Sequence, residues 1–160
     1  MSISAAYAVV GGTPFAAVAG AKTLLMAIAP AGHGLALVEF AVSLDGVTSS
    51  AVPATLDVVQ STQAGAGTSG VSPTITQVRG RGTGGSAPTG GSNYTAEPTV
   101  LTVVKKFYIP QYNGMFILQL PLGREIECDS SGGTVKALGL RINVSANVNA
   151  LGYMEVESVG

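Results

Sequence analysis

The most constraining feature of this chain is a strict two-residue alternation over 135–148. Leu138, Leu140, Ile142, Val144, Ala146 and Val148 fall on one side. Gly139, Arg141, Asn143, Ser145 and Asn147 fall on the other. A helix would scatter those apolar residues around its circumference, whereas a strand sets them all against a core. The stretch outruns ordinary strand length, so a bend or bulge is expected within it.

The same periodicity recurs along the chain. In 35–45 it turns Ala36, Val38, Phe40, Val42 and Leu44 inward, with Glu39, Ser43 and Asp45 opposite, and Asp45-Gly46 reads as a turn. In 53–61, Leu56 and Val58 oppose Thr55 and Asp57. In 99–109 both faces are apolar, with Leu101, Val103, Phe107 and Ile109 on one and Val100, Val104 and Tyr108 on the other. That pattern fits a central strand or one covered by a partner. Residues 115–120 form a short apolar strand, broken by Pro121 and Gly123 before Arg124–Cys128. Strands over 22–29 and 151–157 complete a set of about eight, with turn signals between them and no amphipathic helix. The expected fold is therefore all-β, an antiparallel sandwich of the jelly-roll kind.

Two segments break the pattern. Residues 1–21 carry no charge and contain a Gly11-Gly12-Thr13-Pro14 break, so they are expected to form an extended N-terminal arm. Residues 63–98 hold 9 glycines and three prolines, and read as a long loop with at most one short strand at Val71–Val78. The remainder, 22–160, is a single domain. At 160 residues the chain is long enough for one substantial core and too short for two.

Composition removes several functions. Charged residues are 11% of the chain and the net charge is −1, which leaves no basic cluster to neutralise phosphates, so nucleic acid is not expected as a partner. The longest apolar runs, Leu24–Ala31 and Leu35–Val42, fall far short of the roughly 20 residues that cross a bilayer. No basic n-region precedes the apolar start of the chain, so a secretory signal is not expected. One Cys and one His exclude an internal disulfide and a Cys/His metal cluster.

The remaining candidates for chemistry have simpler explanations. Glu125/Glu127 and Glu155/Glu157 are same-face pairs about 7 Å apart, close to a glycosidase spacing, but a solvated strand face is the preferred explanation, because nothing in the sequence shows the apolar cleft that a general acid needs. Arg79-Gly80-Arg81-Gly82 offers two arginines where a phosphate footprint needs more. Gly82 and Gly85 lack the Lys-Ser/Thr and the helix of a phosphate loop. Asn93-Tyr94-Thr95 and Asn143-Val144-Ser145 match the glycosylation sequon by coincidence, the second in mid-strand. His33 lies in a turn between two glycines, and Cys128 alternates onto the same face as Ile126 as a small buried residue. Asp45, Asp57 and Asp129 sit near strand ends without the oxygen density that calcium needs. No catalytic, cofactor or metal residue is assigned, and the chain is not expected to be an enzyme.

The surface is then the informative feature. Seventeen charges over roughly 7,400 Å² are few for a chain that must stay soluble alone, and a net charge near zero favours association. Several segments also follow one another in a telling order: Lys22-Thr23-Leu24-Leu25, Ala29-Pro30-Ala31-Gly32-His33, Val38-Glu39-Phe40-Ala41-Val42-Ser43-Leu44-Asp45-Gly46, Phe107-Tyr108-Ile109-Pro110, Leu120-Pro121-Leu122-Gly123-Arg124-Glu125-Ile126-Glu127, then the alternating strand. Over residues 22–157 this order resembles small jelly-roll proteins of tailed bacteriophages, taken to be head decoration (cement) or minor virion proteins. It departs from that pattern at Met115-Phe116 and in the extent of the 63–98 loop.

The resemblance implies a structural role on the capsid exterior. Its partners would be the phage major capsid protein and further copies of this chain, most simply as a homotrimer. The arm 1–21, strand 99–109 or the long loop would make the contacts. The alternatives are a carbohydrate- or receptor-binding jelly-roll module that stacks sugars on Tyr94, Tyr112 or Tyr153, a hydrolase using Glu125 and Glu127, and a shell-forming protein.

Overall fold

A computed structural model of the chain describes residues 5–11, 15–17, 20–45, 52–80, 87–129 and 135–159. The described residues form two antiparallel sheets packed as a sandwich, with no helix. Thirteen strands are present: β1 Ala6–Val10, β2 Phe15–Ala17, β3 Gly20–Ile28, β4 Gly34–Leu44, β5 Ala54–Ser61, β6 Thr68–Val71, β7 Thr74–Arg79, β8 Thr89–Ala96, β9 Leu101–Ile109, β10 Met115–Gln119, β11 Ile126–Cys128, β12 Ala137–Val144 and β13 Val148–Val159. Sheet I has the order β10-β4-β13-β1-β7, with β11 beside β4 and β2 beside β13. Sheet II has the order β6-β8-β3-β12-β5-β9.

The alternation correctly marks the core. Leu138, Leu140, Ile142 and Val144 of β12 meet Leu56 and Val58 of β5 and the inner residues of β4 and β13 in one cluster. The expected break in 135–148 falls at 145–147, where β12 leaves sheet II and β13 begins sheet I. Ala146 lies in that crossover and is exposed, not on the core face. A bulge also forms opposite β12. Leu140 pairs with Leu25 and Arg141 with Thr23, so Leu24 is the extra residue and both leucines reach the core.

A second bulge corrects the reading of 35–45. Glu155 pairs with Glu39 but Val156 with Leu37, so Val38 is skipped and the alternation changes phase. Phe40, Val42 and Leu44 face inward as expected, but Leu35 and Leu37 take the inner places assigned to Ala36 and Val38. The displaced carbonyl of Val38 accepts from the Leu120 amide at 2.8 Å.

Residues 1–21 do not form an extended arm in their described part. β1 lies between β13 and β7, and Ala6 and Val9 are fully buried. Ala6–Val10 lacks charge because it is an inner strand of its own sheet. Nor is 63–98 one loop, since β6, β7 and β8 fall within it. Glycine hides these strands from a hydrophobicity pattern while serving the packing. A Cβ on Gly91 would strike the ring of Tyr94, which lies buried with Met26 and Ala137 in a small cluster on the outer side of sheet II. Asn93, beside it, adopts φ 53°, which Asn tolerates better than most residues. These additions raise the strand count from about eight to thirteen.

Candidate interaction surface

β9 is the outermost strand of sheet II and β10 the end of the main path of sheet I. They follow one another in the chain and together form one flank of the sandwich. The central-strand reading of 99–109 therefore fails, and both edges meet solvent. Phe40, Phe107 and Phe116 close the gap between the sheets, with ring centroids of Phe107 and Phe116 at 4.8 Å and of Phe40 and Phe116 at 6.0 Å. Outside this aromatic seal the flank is apolar and exposed. Tyr108 is 76% accessible, Met115 68% and Ile117 55%, with Val103 and Val104 nearby at 40%. They fall on two faces, Tyr108 opposite Thr55 on the outer side of sheet II and Met115 and Ile117 opposite Ser43 and Ala41 on the outer side of sheet I, and exposed apolar side chains gathered along edge strands are more informative than scattered ones.

β9 carries devices that discourage indiscriminate strand pairing. Val58 pairs with Lys105 and Val59 with Val103, so Val104 is bulged out. The bulge places Lys105 on the inward-pointing side beside Val58, at the open rim. A bulge and an inward charge are both means of blunting an edge strand. β10 shows no bulge in its pairing with β4.

Charges are ordered on both outer faces. On sheet II, the register sets Lys106, Asp57 and Arg141 side by side on β9, β5 and β12. Asp57 is almost fully buried and accepts from Arg141 Nη2 at 2.9 Å, while Lys106 Nζ lies 3.3 Å from its other oxygen. Beyond Arg141 comes Thr23, next to the Leu24 bulge. Its amide donates to both carboxylate oxygens of Glu97, at 3.0 and 2.9 Å, and its hydroxyl to Oε2 at 2.6 Å. The row thus alternates in sign across the sheet and balances itself.

Sheet I is different. Gln119, Glu39, Glu155 and Ala8 form one row across β10, β4, β13 and β1. Glu39 and Glu155 stand directly opposite one another, and like charges in that position repel. Glu155 accepts from the Tyr153 hydroxyl at 3.1 Å. Burial, this bond and the nearby carboxylates push the Tyr153 phenol up to about 12. Arg79 pairs with Glu157 one row away. Among the described residues no Lys or Arg pairs with Glu39 or Glu155.

The end of the sandwich next to the flank is tied by polar groups. Gln111, buried, donates from Nε2 to the Val52 carbonyl at 2.7 Å and to Ser145 Oγ at 2.8 Å. The Asp45 carboxylate accepts from the Asn149 amide and side chain, each at 2.8 Å. The side-chain bond from Asn149, then the backbone one, hold the Asp45 carboxyl below its ordinary value. Between this clasp, Asn113 and Met115 runs an open groove of about 290 Å³.

A scan against protein families and a search of characterised proteins match nothing in this sequence. Among solved structures the chain is weakly similar to the infectious bursal disease virus VP2 subviral particle, at 9% identity and a TM-score of 0.22. The match takes in 97% of this chain and 41% of that one. A likeness at that level carries no argument about function.

The residues weighed in the sequence are dispersed. Glu125 precedes β11 and Glu127 lies exposed on it, while Glu155 and Glu157 share the outer face of sheet I. Asp45, Asp57 and Asp129 fall at the end of β4, within β5 and after β11. Cys128 is buried beside Leu35, and burial pushes its thiol up to about 11. His33 sits in the turn closed by its amide bond to the Pro30 carbonyl at 3.2 Å. Asn93 is buried, which closes that sequon, whereas Asn143 is exposed in mid-strand. Tyr94 is buried and presents no ring for stacking. Arg81, Gly82 and Gly85 lie outside the described residues. Sequence reading misses Tyr108 as an exposed ring and the Lys106–Asp57–Arg141 row. The Val-Val-Lys-Lys break in the alternation of β9 was the available signal for its bulge.

Proposed function

We propose that this chain is a structural virion protein, a capsid decoration (cement) protein of a bacteriophage head. It would bind the outer capsid surface as a homotrimer and hold neighbouring capsomers together. The observation that carries the reading is the β9–β10 flank, where exposed apolar side chains run along two unpaired edges of a chain poor in charge. In this reading no residue is catalytic and no cofactor takes part. Many shared contacts of modest strength would act together on a lattice, and closed cyclic symmetry is the ordinary form of such assemblies. Mass spectrometry of purified virions, followed by sedimentation of the protein with capsids stripped of it, tests the reading. Detection in virions and saturable rebinding support it. Absence from virions, or no cosedimentation, overturns it.

A carbohydrate-binding module is the second reading, favoured by exposed Tyr108 and Tyr112 on one flank. It predicts binding on a glycan array that is lost in Tyr108→Ala. The decoration reading predicts an array without signal.

A further inference from the structure

We infer that two copies of this chain join about a two-fold axis beside β10, with their sheets I continued edge to edge and Leu122 of each copy seated in the groove of the other. Such a contact joins copies in pairs and needs no shell, so it goes beyond the reading above.

The backbone of β10 defines what can pair with it. The Leu44 amide donates to the Gly114 carbonyl at 2.7 Å, and the Leu120 amide to the Val38 carbonyl at 2.8 Å. Bonded positions alternate along an antiparallel ladder, so Gly114, Phe116, Leu118 and Leu120 turn their polar groups toward β4. Met115, Ile117 and Gln119 turn theirs to the free edge of sheet I. Pro121 has no N–H and ends that open row. The row is uncharged and unbulged, whereas β9 is interrupted at Val104. An antiparallel copy of β10 satisfies it fully when Ile117 faces Ile117 and Met115 faces Gln119. Each of these pairs then exchanges both its bonds, and no like charges on β10 are brought together.

The same pairing brings a knob to a groove. After β10, the Arg124 amide donates to the Pro121 carbonyl at 2.9 Å and Gly123 takes φ 78°, which closes a tight turn. Leu122 stands on that turn 98% accessible. The groove lies at the other end of β10. Met115 and Leu151 flank Ser43 in one row there, and Asp45 and Asn113 complete the lining. Its 290 Å³ takes a leucine side chain. Pairing about Ile117 sets Pro121 of one copy level with Asn113 of the other, so turn and groove meet at both ends of the contact. Charge agrees with this seating. Arg124 on the turn has no ion-pair partner among the described residues. Asp45 in the groove is held by Asn149, which is neutral and leaves its charge uncancelled. Each copy gives one turn and receives one, as a two-fold contact requires.

The test is light scattering during size-exclusion chromatography of the whole chain, across a concentration series. The wild type should run as an even multiple of one chain. Because Ile117 faces itself, Ile117→Lys and Ile117→Glu should each weaken association at least about tenfold, by setting like charges opposite one another. An equimolar mixture of the two variants should associate again, which only a self-facing position allows. Leu122→Ser should weaken association about tenfold, and no change there overturns the seating of Leu122. All three substitutions lie at exposed positions, and thermal melting in dilute solution confirms that each variant is folded. Single Ile117 variants that associate as the wild type does, or a mixture that stays apart, overturn the contact. A wild-type mass of three chains overturns it and leaves the trimer standing, and a monomeric wild type overturns both.

Discussion

Each flank of the sandwich consists of one edge from each sheet, yet the two flanks are built in opposite ways. On one side β6 of sheet II runs directly into β7 of sheet I, crossing at Ser72-Pro73 without reversing direction. A single stretch of chain spans the gap there, and its exposed side chains are mostly Thr, Ser and Gln, with Val71, Val78 and Arg79 among them. On the other side β9 and β10 are separate strands, sealed by Phe107 and Phe116 over Phe40 and lined outside by Val, Tyr, Met and Ile. The first flank is finished by the chain itself and can face water. The second presents apolar surface with limited protection at Lys105 and the Val104 bulge. The two flanks thus differ in polarity, which the low charge of the whole chain conceals.

The contrast can be broken most severely at β1. That strand joins β7 to the rest of sheet I. Deleting Met1–Gly11 should abolish cooperative thermal unfolding followed by circular dichroism, because it removes an inner strand and strands the polar flank. A deletion that still melts sharply would return this segment to the status of an arm. Next in size is Phe40→Ala. Phe40 is fully buried beneath the aromatic seal, so urea unfolding should show a loss of about 3–5 kcal/mol. Asp57→Ala should cost about 3 kcal/mol, toward the low end for a broken buried pair because Arg141 and Lys106 still reach water. Restoring stability with Arg141→Met in the Asp57→Ala background would show that the stranded guanidinium is the cause.

Alkaline pH gives a smaller effect. Cys128 and Tyr153 hold their protons more tightly folded than unfolded, with values raised from 9.0 to about 11 and from 10.0 to about 12. Their contribution is complete below the unfolded values and is lost as pH rises through the folded ones. Urea midpoints should therefore fall between about pH 9 and 12. Cys128→Ser with Tyr153→Phe should flatten that fall. A midpoint independent of pH in the wild type would contradict the burial of both groups.

The contrast also explains what the sequence disclosed. Alternation reports burial on one face, so β12, β5 and the outer half of β4 were legible. It cannot report a bulge in advance, and Val38 and Leu24 each shift the phase by one residue. Nor does it mark strands buried on both faces without large side chains, which is why β1, built of Ala, Tyr and Val, looked like an arm. β6 and β8 were hidden by Gly, Ser and Thr, residues chosen for close approach and exposure. For the interaction surface, the apolar character of 99–109 was plain, but its place at an edge depends on pairings made far away in the chain. The cross-strand partners of Asp57 and Glu39 were beyond reach for the same reason.

Amide hydrogen exchange, compared between dilute and concentrated protein, examines the difference between the flanks most directly. Concentration should slow exchange along Val103–Ile109 and Met115–Gln119, and leave Thr68–Val71 and Thr74–Arg79 unchanged. Equal protection on both sides, or slowing confined to β6 and β7, would mean that the apolar flank is not where this molecule meets its copies.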